Sequence, residues 1–248
     1  MKRYIFSGRV IPERASVFVS QHTLTNKDIE ISVRIKATIE IKNSVIFVDF
    51  EVEDKKYDVI DYKNIVKSLC RTSLDTYGYF KGYGYELEIT SARDFQSGEN
   101  TVFGVDVVEI TKAEKERSLT FNRVLLLGYK HFELKMALND LGEAVRKEND
   151  TAFYCKRSVE NTRQYFKDKN KKNDTGWEKM QKTLNVYPKY TQELTEKAQA
   201  QRHADFTSMT GNERIKLMKV AWQVVDRFII YLDSKKELDE KEYPRLES

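Results

Sequence analysis

Few residues of this 248-residue chain are equipped for chemistry beyond charge pairing: three histidines, two cysteines and an adjacent Arg202-His203 pair. The pair lies in "EKAQAQRHADFTSMTGNER", residues 196 to 214, where a helix ends, a polar loop follows and another helix begins. An imidazole can move the proton of a ribose 2′-hydroxyl, and a guanidinium can stabilise charge at phosphorus, so the residue types suit metal-independent RNA cleavage. Neighbours on a helix project about 100° apart, however, and do not normally converge. The alternative is a helix end, where cationic side chains meet terminal carbonyls and the macrodipole. His22 falls on a strand or its turn and His131 inside a long helix, positions typical of packed or surface histidines.

Cys70 and Cys155 lie far apart and outside any Cys/His cluster, which excludes a disulfide framework and argues against zinc. Carboxylate-bound Mg²⁺ is left open by residue counts alone. "GYFKGYGYELEI" matches neither dinucleotide-binding nor P-loop spacing and leads from helix into strand, the wrong order for a phosphate cradle. No cofactor and no metal site is therefore expected. Its Tyr79 and Tyr83 are candidates for stacking on bases or sugars. The run "KDKNKKND" supplies Lys167, Lys169, Lys171 and Lys172, which with Lys197 are candidate phosphate contacts or else a solvated interhelical loop. Net charge is only +4, but residues 1–112 carry 16 Lys/Arg against 17 Asp/Glu, so the positive excess belongs to the second half.

The elements that position these residues change character midway. "IEISVRIKATIEI" from Ile29 alternates apolar and polar residues with period two, and "VIFVDFEVE" from Val45 does so again after a "KNS" turn, which predicts a hairpin. "RYIFSGRVI" and "SVFVSQHTL" are shorter strand candidates on either side of Pro12. From Asp58, a plausible cap, to Phe80 the spacing turns helical, with Ile65, Val66, Leu69, Ser73 and Thr76 on one face. "YELEIT" and "VFGVDVVEI" then return to strands. This half is a mainly antiparallel sheet with one packed helix.

Downstream the pattern is all helical. One long helix is expected over 118–147 with Leu127, Leu134, Leu138, Leu141 and Val145 on its apolar side, and Asp150 is a candidate cap for the next, which carries Cys155, Val159, Thr162 and Phe166. A short helix follows around Trp177 to Leu184, and Pro188 opens a segment whose inward face is Tyr187, Tyr190, Leu194 and Ala198, with Glu193 and Lys197 paired outside. Thr210 and Glu213 have capping-box spacing ahead of Ile215, Met218, Trp222, Val225, Ile229 and Leu232, a core or dimer seam. The charged tail beyond Leu232 is expected to fray. The fold class is α+β, with domains at 1–112 and 113–248.

The second half, with its long first helix, "SVENTRQYF" in the next, and "RHAD" before a capped final helix, resembles the HEPN superfamily of prokaryotic helical domains. That resemblance implies a helical bundle, dimerisation and a setting in defence or conflict systems. Active members cleave RNA through an Arg-x4–6-His motif; carried over, His203 is the histidine and Glu160 the helix-borne acid. The arginine departs from the pattern. Ala198, Lys197 and Glu196 occupy the permitted positions, and lysine lacks the planar fork that grips two phosphate oxygens. The expected function is a cytoplasmic binding or assembly protein, a homodimer or bound to a partner protein, with no membrane association. The alternatives are an RNase acting through His203 with Arg202 and Glu160, and a sequence-tolerant binder of RNA or DNA.

Overall fold

The computed structural model describes residues 1–27, 33–53, 57–104, 107, 109–110, 119–202 apart from 169–174, and 209–247, without the side chains of 200–202. The chain divides into two compact units, Met1–Val105 and Asp106–Ser248. Sequence pattern alone put that division at 112/113. The fold class is the expected one, an antiparallel six-stranded sheet followed by helices.

In the first unit, β1 (Lys2–Ile11), β2 (Val19–Thr25), β3 (Ile35–Lys42), β4 (Val45–Val52), β5 (Glu86–Asp94) and β6 (Asn100–Val102) lie in the order β2-β3-β4-β1-β5-β6. Every pairing is antiparallel. The predicted hairpin joins β3 to β4 through Asn43 and Ser44, both at positive φ (49° and 63°), the twist a two-residue turn needs between right-twisted strands. Ser44 is buried because its hydroxyl accepts from the Val17 amide at 3.0 Å and its own amide donates to the Val17 carbonyl.

Period-two alternation sends Ile35, Ala37, Ile39 and Ile41, with Ile46, Val48 and Phe50, to one face. Helix α1 (Val59–Lys81) packs in the same core, capped by Asp58, whose carboxylate accepts from the Ile60 and Asp61 amides. Its buried face is Tyr62, Val66, Leu69, Cys70, Leu74 and Gly78; Ser73 is half-buried and Thr76 exposed, so the expected stripe is corrected by a small rotation. Gly78 is required: a Cβ there would stand 2.4 Å from the Tyr83 carbonyl oxygen. The opposite sheet face is wet and carries cross-strand polar pairs such as Arg3 with Asp49 (2.8 and 2.6 Å) and Lys36 with Glu51.

"VFGVDVVEI" is a strand only to Val102; Val107 and Ile110 pack instead against the helical core. In the second unit the expected long helix is two, α2 (Phe121–Lys130) and α3 (Phe132–Arg146), broken where His131 takes an extended conformation (φ −122°, ψ 105°). His131 meets the Tyr165 ring edge-on at 5.6 Å, a tertiary contact made from the break. Helix α4 (Thr151–Phe166) is not capped by Asp150, whose side chain makes no cap bond; the Thr151 hydroxyl serves the carbonyls of Ala144, Lys147 and Glu148 instead.

Helices α5 (Gly176–Thr183), α6 (Gln192–Arg202) and α7 (Gly211–Ser234) complete the unit. The capping box at Thr210 and Glu213 is made in both directions. The seam of α7 is core: Met218, Val225, Ile229 and Leu232 are buried, joined by Leu217, Ala221, Val224 and Phe228. Tyr187, expected inward, is exposed beneath the Arg245 guanidinium, because the backbone there pairs with Leu246.

The charged tail is anchored rather than frayed. Buried Arg227 donates to the carbonyls of Leu184 (2.8 Å), Asn185 (2.7 Å) and Pro244, while the Asn185 amide nitrogen donates to Leu238 and Tyr243. Backbone bonds from Leu238 to Thr183 and from Leu246 to Asn185 fix it further, and Leu238 is buried. These partners are backbone carbonyls, whose availability side-chain patterning does not reveal.

Candidate functional site

The expected catalytic pair cannot be assembled from described groups: Arg202 ends α6 with its side chain outside the described residues, and His203 lies outside them altogether. Glu160 is described, and its carboxylate is paired with Lys156 at 3.3 Å on the same helix. The lysine at the motif spacing, Lys197, reaches across to Glu213 at 3.3 Å, while Glu193 takes Lys216 at 2.5 Å. The expected Glu193–Lys197 pair is thus replaced by two cross-helix pairs that hold α6 to α7. Such pairs occupy both cations through a shared helix interface. Lys167 is exposed at the end of α4; Lys169, Lys171 and Lys172 lie outside the described residues.

A polar constellation that sequence did not single out sits between α3 and α4. Asp140, fully buried, accepts from the Arg157 guanidinium through both oxygens and from the Asn161 amide nitrogen at 2.7 Å. Arg157 also lies against Phe153 and Tyr154. A buried carboxylate with this many donors is satisfied, and its bonds tie α3 to α4. The signal was present as aspartate on the otherwise apolar side of α3.

The two remaining histidines make tertiary contacts. His22 bridges the Ser20 carbonyl (3.0 Å) and the Ser73 hydroxyl (2.9 Å), tying β2 to α1. Burial, reinforced by the Lys235 charge, lowers the pKa of His131. Both thiols are buried and pushed up to about 12 by desolvation, which leaves them inert. Among the described residues no group of three or more His, Cys, Asp or Glu could hold a metal ion. A cleft of about 400 Å³ beside the tail is lined by Glu178, Lys182, Asn185, Glu237 and Arg245, and Asn185 there is already engaged in tail anchoring.

Among the described residues two groups of large apolar side chains are exposed. In the first unit Tyr79, Phe80 and Tyr83 cluster at the end of α1, with Tyr79 82% exposed and Tyr83 resting on Tyr85 at 4.9 Å. Arg71, beside them, donates to the Tyr85 carbonyl and Glu86, while the exposed Lys81 lies over the Tyr77 ring at 5.6 Å. In the second unit α2 buries only Leu127 and turns Phe121 (79% exposed), Leu125 (42%), Leu126 (52%) and Tyr129 (79%) to solvent, with Phe132 (68%) just beyond the break. Its cap residue, Thr120, makes no side-chain cap bond. A short helix rich in apolar residues on two sides is expected to bury both. Here one side is left exposed.

Residues 4–103 are similar to the N-terminal domain, and residues 119–233 to the C-terminal domain, of a family described as a domain of unknown function, DUF8168. The two domains follow each other here in that order, one in each compact unit. No curated protein and no solved structure matches the chain.

Proposed function

We propose that this is a non-catalytic binding and assembly protein, with a sheet domain for recognition and a helical domain that docks another polypeptide. The outward apolar face of α2 carries this reading, because a folded helix that exposes two aromatics and two leucines, with Phe132 just beyond its end, is costly in water unless something covers them. Two further observations favour binding over catalysis. Glu160 and Lys197 are engaged in ion pairs, and the buried carboxylate of Asp140 is fully committed to Arg157 and Asn161. The resemblance of the second half to HEPN domains supports a setting in bacterial or phage defence. Among the described residues no helix is long and apolar enough to cross a membrane. The test is to incubate the purified chain with mixed RNA in EDTA. Intact RNA is expected; cleavage that disappears in His203→Ala would replace this reading with a metal-independent endoribonuclease.

A further inference from the structure

We propose that the groove holding the tail is a peptide-binding site, closed in cis by residues 237–246 and open in trans to an acidic segment of a partner protein with the same anchors. The site uses none of the α2 residues and stands apart from the reading they carry. Its present occupant is held as a bound peptide is held. Tyr187 donates its amide to the Leu246 carbonyl at 2.9 Å, and the Leu246 amide donates to the Asn185 carbonyl at 2.8 Å. Val186 and Leu246 thereby form a parallel bridge, the strand addition by which peptides join an exposed backbone edge. The Leu238 amide donates to the Thr183 carbonyl at 3.1 Å. Two buried side chains reach the tail's own carbonyls: Arg227 donates to Pro244, and the Asn185 amide nitrogen donates to Leu238 at 2.7 Å and Tyr243 at 3.2 Å.

None of these bonds reads a tail side chain. Specificity falls to three inward side chains, the buried Leu238 and the half-buried Tyr243 and Leu246, while the residues between them are exposed. The Asp239 carbonyl accepts from the Tyr243 amide at 2.8 Å and its carboxylate from the Lys241 amide at 2.7 Å, a local turn that sets the spacing of the first two anchors. A ligand therefore needs a leucine, an acidic turn, a tyrosine-proline pair and a leucine two residues after the proline. Residues 237–248 carry five acidic residues against two basic ones, and Lys182 of α5 meets Glu237 at 3.9 Å, so charge favours an acidic segment. The tail does not fill the groove. The cleft of about 400 Å³ beside it, with Glu178, Gln181 and Lys182 on one wall and Glu237, Glu240 and Arg245 on the other, leaves room for larger side chains. Only Lys235 and Lys236, both exposed, tether the seated segment to the end of α7, so it can leave as a unit.

Two measurements on the full chain test the site with one probe, a synthetic peptide of residues 236–248. In the first, Leu238→Asp together with Leu246→Asp unseats the cis tail, and the fluorescently labelled peptide is expected to bind saturably by anisotropy. The wild-type chain should bind it at least about tenfold more weakly, because a tethered tail competes at a millimolar effective concentration. Adding Asn185→Ala to the double variant should weaken binding about tenfold, through the two carbonyls that lose their donor. The second measurement needs no substitution in the protein. Unlabelled peptide, in excess of that effective concentration, should move the Leu238 and Leu246 amide signals of isotopically labelled wild-type chain to disordered positions. A peptide carrying Leu238→Asp and Leu246→Asp should leave them in place. No saturable binding to a double variant that keeps its helical circular dichroism, binding indifferent to Asn185→Ala, or wild-type signals that do not move would overturn the proposal. So would a wild-type dimer whose association is lost in the double variant, which would assign the groove to tails exchanged between two copies. Neither measurement involves RNA, so the RNA assay judges the non-catalytic reading on its own.

Discussion

Helices α2 and α7 have similar apolar content and opposite fates. Helix α7 is 24 residues long, starts on a two-way capping box and buries nine side chains, among them Phe228, whose ring meets Tyr165 at 5.2 Å and Phe166 at 5.9 Å. Helix α2 is 10 residues long, lacks a side-chain cap bond and buries one. The first is held by what it packs against. The second is positioned by Leu127, by half-buried Val124 against the same core, by an ion pair from Arg123 to Asp233 of α7 and by its junction with α3, and leaves Phe121, Leu125, Leu126 and Tyr129 exposed. Amphipathic periodicity therefore does not say by itself whether an apolar face is internal.

The contrast is broken most directly at Phe228. Phe228→Ala should destabilise the helical unit by ~3–5 kcal/mol in denaturant unfolding, as truncation of a fully buried ring does. Arg227→Ala should cost ~1–3 kcal/mol for the carbonyls left without a donor and should release the tail, seen as faster hydrogen exchange at the Leu238 and Leu246 amides. Thr210→Ala removes one half of the capping box and should cost ~1 kcal/mol. Its other half has a pH signature. Glu213 is held below the usual carboxylate pKa, first by the Thr210 backbone amide and also by Lys197, despite partial desolvation. Its contribution is complete above the unfolded-state carboxylate pKa and is lost as pH falls through the folded one, so Glu213→Gln should flatten the acid limb of the stability profile. At the small end, Tyr129→Asp should change monomer stability by within about 0.5 kcal/mol when measured dilute. A loss comparable to that of Phe228→Ala would show that α2 is core and erase the distinction.

Where local spacing determines structure, the sequence was readable. Period-two alternation gave β3 and β4, Asp58 capped α1 as its position suggested, and the Thr210 and Glu213 spacing made its box. Misreadings arose where a distant partner decides. The helical period runs through His131 without interruption, yet the chain breaks there and sets the imidazole against Tyr165. Glu193 and Lys197 are ideally spaced for each other, yet each finds a partner on α7. The Asp140–Arg157–Asn161 constellation joins two helices, and no short motif encodes it. The candidate surface was partly visible, because "FNRVLLLGYK" is apolar on more than one side, but only the packing of Leu127 tells which side is outward.

The anchored tail has a practical consequence. Lys235 and Lys236 are exposed at the end of α7, while the segment that follows is held by the buried Leu238, the backbone pairing of Leu246 with Asn185 and the grip of Arg227 on Pro244. Tryptic nicking between those lysines and Leu238 would sever the chain without separating the pieces, and the clipped peptide would travel with the body of the protein until a denaturant parted them.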